Sequence, residues 1–493
     1  MATIPIEHAV LALIVLPLAA AILSIFAGKR GPTLALGAAA IQAAAACRIA
    51  MGLNQNGAIR YRISGWGAPL GIDLHLDGLS TIMLFLSTLV GLAIAVYATG
   101  YFAQDPAHKS GADPARAFWP LFLLASAALN ALFLSGDLFN LYVTLELLTL
   151  AGVALIGLAG SVASLIAALR YLIVALVGSL FYLLGVVLTY STYGTVDWEL
   201  VRAAASPDIA SRTALALFTI ALMMKTALFP LHTWLPDAHS NAPAPVSALL
   251  SGVVLKASFY MALRIWFFAF PAVSSPAPAQ LVGALAACAI LWGSIQAVRQ
   301  RRAKLMLAYS SVAQVGYLFM VFALMWGDSA HLAWQAAACL ALSHACAKSA
   351  AFMSVGTIAL SCGSDEIRRW KGIAARYPSA VLSFAVAGVS LMGLPPSGGF
   401  VGKWLLLNAA MTGQGIGLVA AVVGGSLLAA AYIFRVLAVA MTSGDSREAA
   451  LVPAALKWPP LVLAILSILL GFIAAYPLSL LEHGAPLTGR SGP

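Results

Sequence analysis

Fourteen apolar runs divide the chain, separated by short polar or Pro/Gly-rich breaks at approximately 8–27, 33–53, 78–101, 116–135, 137–158, 163–190, 212–230, 246–270, 280–298, 306–326, 334–361, 380–409, 417–441 and 459–479. A run of about 20 apolar residues crosses ~30 Å of hydrocarbon as a helix. The pattern therefore predicts an all-α polytopic membrane protein of about 14 transmembrane helices. The sixth, eleventh and twelfth runs exceed a simple span and predict tilt, kinks or breaks. The segment 54–77 differs. Its Ile72-Asp73-Leu74-His75-Leu76 alternates with period two and predicts a short hairpin on the outer surface. The segment 363–379 reads as a polar inner connector, and the Gly/Pro-rich tail after Glu482 reads as disordered.

Composition agrees: 62% of the 493 residues are hydrophobic and 9% charged. Soluble domains carry about 25% charged residues and disordered chains are polar, so both classes are excluded. The first run follows Glu7 and His8 without a basic leader, and predicts a retained helix rather than a cleaved signal. The net charge of +10 matters by its placement. Lys29, Arg30, Lys109, the Arg299-Gln-Arg-Arg-Ala-Lys304 cluster, Arg368, Arg369, Lys371, Arg376 and Arg447 share one side of the alternating loops. Arg60, Arg62, Arg202, Arg212 and Arg490 occupy the other side. By the positive-inside rule both termini lie on the outer, periplasmic side of a cell membrane. The basic balance thus calls for a lipid bilayer and no nucleic acid. Cys47, Cys288, Cys339, Cys346 and Cys362 form no CxxC pair and read as small core residues. Neither a GxGxxG after a strand nor a Walker sequence occurs. No cofactor or metal is expected, and no redox or hydrolytic activity of this chain alone.

Ionisable residues inside the runs carry the chemistry. A charge at the centre of a spanning helix costs about 3 kcal/mol and needs a reason. Glu146 lies in the fifth run, Lys225 in the seventh and Lys256 in the eighth. His344 and Lys348, four apart on one helix face, lie in the eleventh, and Lys403 in the twelfth. Burial favours the neutral amine and a nearby carboxylate the charged one, so a lysine whose acid approaches or withdraws loads and releases a proton. These six residues form a candidate proton relay, with Glu146 modulating Lys225 and Lys403 leading to the opposite surface. Single buried lysines also serve structural pairing. Arg264 and Arg435, nearer the run ends, read as snorkelling to the interface. His232, Asp237 and His239 lack metal-ligand spacing and read either as a proton entry or as solvated loop residues. Asp137 reads as a helix N-terminal acid. The seventh run ends in Lys225-Thr-Ala-Leu-Phe-Pro230, and the twelfth is interrupted by Leu394-Pro-Pro-Ser-Gly-Gly399. Breaks at membrane depth five spans apart are the mark of an inverted repeat.

The stretch from Lys225 through Pro230-Leu-His-Thr-Trp-Leu-Pro-Asp-Ala-His to Lys256 resembles the signature of proton-translocating antiporter-like subunits. That family occurs in Mrp-type Na⁺/H⁺ antiporters, respiratory complex I and membrane-bound hydrogenases. Ser135-Gly-Asp-Leu-Phe-Asn140 with Glu146, Lys304 through Tyr317, His344-Ala-Cys-Ala-Lys348 and Gly398-Gly-Phe-Val-Gly-Lys403 match it as well. The resemblance implies fourteen helices with two inverted five-helix repeats, helices 7 and 12 broken. Organisation follows as helices 1–3 over 1–115, repeats over 116–270 and 280–441, and helix 14 with the tail over 442–493. It also implies a Glu146–Lys225 pair, bridging groups at Lys256 and in the eleventh helix, and a terminal Lys403. Gly136-Asp-Leu-Phe-Asn140 leans toward the Mrp D-type subunit, Leu307-Ala-Tyr-Ser-Ser311 toward complex I members. The expected function is a proton-translocating subunit of an Mrp-type cation (Na⁺)/proton antiporter, partnered by other subunits of a membrane complex. The alternative is the pumping subunit of a complex I-like oxidoreductase. A stand-alone solute transporter or a membrane scaffold leaves the six deep ionisable groups unexplained.

Overall fold

The computed structural model describes residues 6–69, 71–104, 114–413, 415–443 and 451–486. Helices α1 (Ile6–Ala27) and α2 (Gly31–Asn56) pack as a pair turned at Gly28–Arg30. Strands β1 (Ile59–Arg62) and β2 (Asp73–Leu76) then pair antiparallel, Ile59 opposite Leu76 and Arg62 opposite Asp73. The predicted hairpin is therefore present. Helices α3 (Gly78–Gln104), α4 (Pro114–Leu134), α5 (Leu138–Gly157) and α6 (Val162–Tyr193) follow, then a short α7 (Trp198–Ala204). The predicted seventh run is α8 (Ile209–Thr226), and after a break comes α9 (Trp234–Asn241). Helix α10 (Ala244–Leu249) continues through a π turn (Leu250–Val254) into α11 (Leu255–Arg264). Next come α12 (Pro276–Arg299), α13 (Ala303–Leu324), α14 (Ala330–Cys362) and the short α15 (Ile373–Arg376). The predicted twelfth run is two helices, α16 (Pro378–Met392) and α17 (Gly398–Thr412). Helices α18 (Ile416–Met441), α19 (Ala454–Leu469) and α20 (Ala475–Leu481) complete the described elements.

Among the described residues, 11 helical stretches are long and apolar enough to cross a membrane, with α1 and α2 merged into one; α16 and α19 are shorter apolar helices. Helix α14 is central and touches α3, α10, α13, α16, α17 and α19. At the periphery, Leu165, Leu169, Ile173, Leu176, Leu180 and Leu184 of α6 point outward. That outer stripe suits lipid, which is as apolar as leucine itself.

Polar loops gather at two opposite faces. The hairpin face holds β1 and β2, and Leu74 and Asp137 bridge to Ser135 and Asp197 there. Both described ends reach it: the Ile6 side chain sits against Gly52, and the His483 carbonyl accepts from Gly78 N at 2.8 Å. The other face is basic, with Arg302 bridging to Glu366 and pairing with Asp365 at 3.0 Å. Lys109, Arg447, Arg490 and residues 487–493 of the expected tail lie outside the described residues.

Several sequence readings need correction. Arg264 does not snorkel. It is buried and forms two 2.6 Å hydrogen bonds to Asp77, the residue before α3, with its guanidinium over the Phe268 ring at 4.4 Å. A buried acid on a distant segment supplied the partner that local sequence did not reveal. Cys47 and Cys288 are exposed rather than in the core, whereas Cys339 and Cys346 are buried. An outward small apolar residue costs nothing where the surroundings are lipid. His239 is fully buried, stacked on Phe352 at 5.1 Å, and is not a solvated loop residue. Arg435, also read as snorkelling, donates to the Gln300 carbonyl at 2.5 Å and caps the end of α12.

Candidate functional site

Two helix breaks set the site, and they are built alike. Helix α8 stops because Ala227 adopts the left-handed conformation (φ 57°), with Leu228 N bonding back to Met223 O at 3.0 Å. Helix α16 stops at Gly393 (φ 79°), with Leu394 N bonding back to Val389 O at 3.1 Å. Each is a six-to-one Schellman closure, and each runs left-handed residue, Leu, any residue, Pro. The prolines Pro230 and Pro396 cannot continue the helix. The Trp234 indole also donates to the Met224 carbonyl at the end of α8, at 3.0 Å.

Lys225 is two residues before the first break. Its Nζ donates to Glu146 Oε1 on α5 at 2.7 Å and to Thr149 Oγ1 at 3.1 Å. Ser179 on α6 also donates to Glu146 Oε1. The lysine side chain is 3% exposed and the glutamate 18%, so the pair lies inside the bundle with the acid at its edge.

Lys256 lies two residues past the π turn, and its Nζ returns to the Ser251 carbonyl at 2.5 Å. A wider i→i+5 turn commonly marks a functional position. The neighbouring Ser251 hydroxyl meets Ser311 on α13 at 2.8 Å. Lys348 donates to Leu307 O at 2.8 Å and to the Ser310 hydroxyl, both on α13. His344, one turn away, is buried with neither ring nitrogen hydrogen-bonded among the described residues, and its electrostatic neighbours are Lys256, Lys348 and Lys403. Lys403 follows the second break. Its Nζ donates to Leu391 O at 3.0 Å, Met392 O at 3.2 Å and Ser426 Oγ at 3.1 Å, and lies 4.3 Å from the centre of the Tyr317 ring. An ammonium on the last carbonyls of α16 is favoured by that helix's dipole.

Thus Glu146 pairs with Lys225, while Lys256, His344, Lys348 and Lys403 gather around α13 and α14. Among the described residues no carboxylate lies in salt-bridge range of Lys256, Lys348 or Lys403. Nor does a direct hydrogen bond between described residues join Lys225 to Lys256. What sequence reasoning missed is a polar stripe on α13: Leu307 O, Ser310, Ser311, Gln314 and Tyr317. Gln314 donates to Leu391 O at 3.2 Å, the carbonyl that Lys403 also uses. These positions recur at i, i+3, i+4, i+7 and i+10 and advance about 15 Å along one face. The spacing was present in the sequence as a polar periodicity within an apolar run. Among the described residues no cluster of three His, Cys, Asp or Glu could hold a metal.

A profile described as NADH:quinone oxidoreductase/Mrp antiporter, TM, matches residues 135–429, which contain all six of these groups. The chain belongs to this family. A second profile, the complex I chain 5 N-terminus, matches residues 66–110. The N-type subunit of the NADH-quinone oxidoreductase of Desulforudis audaxviator is 40% identical over 83% of the chain and 80% of its own length. The D-type subunit of the Na⁺/H⁺ antiporter of Alkalihalophilus pseudofirmus is 28% identical over 86% and 85%. A chain in the Mrp complex from a Dietzia species superposes with a TM-score of 0.88 at 25% identity, covering 98% of each chain. Fold and family therefore agree with the resemblance that the motifs carried.

Proposed function

We propose that the chain is a proton-translocating subunit of a multisubunit membrane complex of the Mrp cation (Na⁺)/proton antiporter type. The observation that carries this reading is the Glu146–Lys225 contact of 2.7 Å, placed at a helix break within the membrane-spanning bundle. Such a pair exchanges charge for little net motion. When Glu146 withdraws, Lys225 loses its counter-charge and releases its proton; when it returns, Lys225 reloads. Lys256, Lys348 and His344 receive the proton next, with the α13 hydroxyls orienting the amines. Lys403 passes it toward the far surface. Water bridging the step from Lys225 to Lys256 belongs to this proposal. Moving one charge through 100 mV takes about 2.3 kcal/mol, and stranding one partner of a buried ion pair costs about 3–5 kcal/mol, which covers it.

We read 116–270 and 280–441 as inverted halves, with 1–115 and 442–493 flanking them; the matching Schellman breaks support this. Outer termini and an inner basic face follow from the charge bias, which the Arg302 face supports. The 40% identity to an N-type subunit favours a second reading, in which the same relay serves a complex I-like oxidoreductase whose redox chemistry resides in other subunits.

The test uses inverted vesicles carrying the intact complex and a pH-sensitive dye. Lys225→Ala and Glu146→Ala are each expected to abolish proton movement while the complex still assembles. Normal acidification by both variants would discard the relay. Subunits that copurify with the chain separate the Mrp-type from the redox-linked reading.

A further inference from the structure

A cavity of about 370 Å³ lies between α2, α3, α14, α19 and α20. Its rim includes Met51 and Tyr476, which are exposed, and its floor includes Leu86, Leu342 and Cys346, which are buried. It therefore runs inward from the bundle's outer surface. Hydrocarbon lines most of it. One polar group stands out: Thr81 is 1% exposed, lines the cavity, and its hydroxyl has no hydrogen-bond partner among the described residues.

Water does not suit this space, because a buried water needs two to four polar partners. A dry cavity of about 150 Å³ accepts benzene, and by the same volume per carbon this one accepts on the order of 15 carbons. Thr81 is four residues from Asp77 at the polar hairpin face, where the ester layer of a bilayer meets such helices. From Thr81 the cavity follows α3 to Leu89, about 12 Å deeper. One polar donor at interfacial depth, continued inward by a long apolar slot, matches a lipid chain and its ester.

We propose that this cavity binds one acyl chain of a membrane phospholipid, with the Thr81 hydroxyl donating to an ester carbonyl. The chain end then rests against Cys346 on α14, whose electrostatic neighbour is Lys256, and forms part of the dry wall beside that buried lysine. The proposal stands whether or not that lysine carries protons.

The test uses the full chain in its native complex, reconstituted in phosphatidylethanolamine and phosphatidylglycerol vesicles. These contain a phosphatidylethanolamine bearing a mid-chain diazirine. After illumination, peptide mass spectrometry is expected to find label at 342–346 and 466–473 well above that on lipid-facing Leu180 and Leu184. Ala50→Phe places a ring in the cavity and is expected to cut this label severalfold, leaving α6 labelling unchanged. Thr81→Val keeps the volume and removes the donor. It is expected to weaken retention of the lipid about fivefold, the loss of one ordinary hydrogen bond. Should Ala50→Phe fail to assemble, Thr81→Val decides. Equal labelling of α6 and the cavity, persistence in Ala50→Phe, or indifference to Thr81→Val each overturns the proposal. So does labelling by a diazirine free fatty acid but not by the phospholipid.

Discussion

Asp77 and Arg264 show what a buried charge demands. Burial pushes the Asp77 carboxyl up, yet the paired Arg264 guanidinium outweighs it and holds the acid below its usual range. Removing one partner strands the other in an apolar setting, which costs about 3–5 kcal/mol. Asp77→Ala is expected to lower the thermal stability of the complex sharply, and Asp77→Ala with Arg264→Leu to recover part of it. A melting curve of each, with the double variant no better than the single, would contradict this account. The other buried lysines meet the same demand differently. Lys256, Lys348 and Lys403 rest on backbone carbonyls and serine hydroxyls. Those lysines were legible in the sequence as charges inside apolar runs. Their partners were not, because carbonyls freed by a π turn or a helix end carry no residue signature.

At the level of elements, the two breaks place the chemistry. Gly393 serves its break twice: its φ is 79°, and a Cβ there would lie 2.6 Å from Lys403 Cδ. The left-handed backbone alone costs an alanine about 1–2 kcal/mol. Gly393→Ala is expected to displace Lys403 and slow proton movement several-fold, with Lys403 itself intact. Dye-based rates in vesicles that match those of the parent protein would contradict the placement. Helix α13 supplies the complementary stripe. Gln314→Leu removes the donor that shares the Leu391 carbonyl with Lys403. A partial loss of proton movement is expected, smaller than that of Lys225→Ala. Both breaks were announced by proline, and the second by glycine as well, since few other residues end a helix so abruptly. The stripe was equally visible as a period but was overshadowed by the charged residues.

For the molecule as a whole, the hairpin face acts as a clasp. Arg60 on β1 meets Asp73 at 2.6 Å, Asp197 at 2.7 Å and also Glu199, joining β2 to the segment before α7 and to α7 itself. The His75 ring 3.5 Å away, together with Arg60, holds Glu199 below the ordinary carboxylate range. A carboxylate depressed in the folded state contributes stability that is fully present above its unfolded pKa, about 4.3. That contribution is lost as pH falls through the lower folded value. Hairpin amides are therefore expected to exchange faster with deuterium below about pH 4, while α13 amides stay protected. Protection of the hairpin that is unchanged down to about pH 3 would show that the clasp does not depend on Glu199.

By itself the sequence determined the membrane class, the helical runs, the hairpin alternation and the identity of the deep ionisable residues. Each of these follows from local composition and period, which every residue carries with it. Tertiary structure decided which groups meet: Glu146 with Lys225, Arg264 with Asp77, and Lys403 with the end of α16. It also decided which small residues stand exposed on the bundle, as Cys47 does. The physical reason is that a buried polar group must find its partner across space, and for Arg264 that partner stands 187 residues away along the chain.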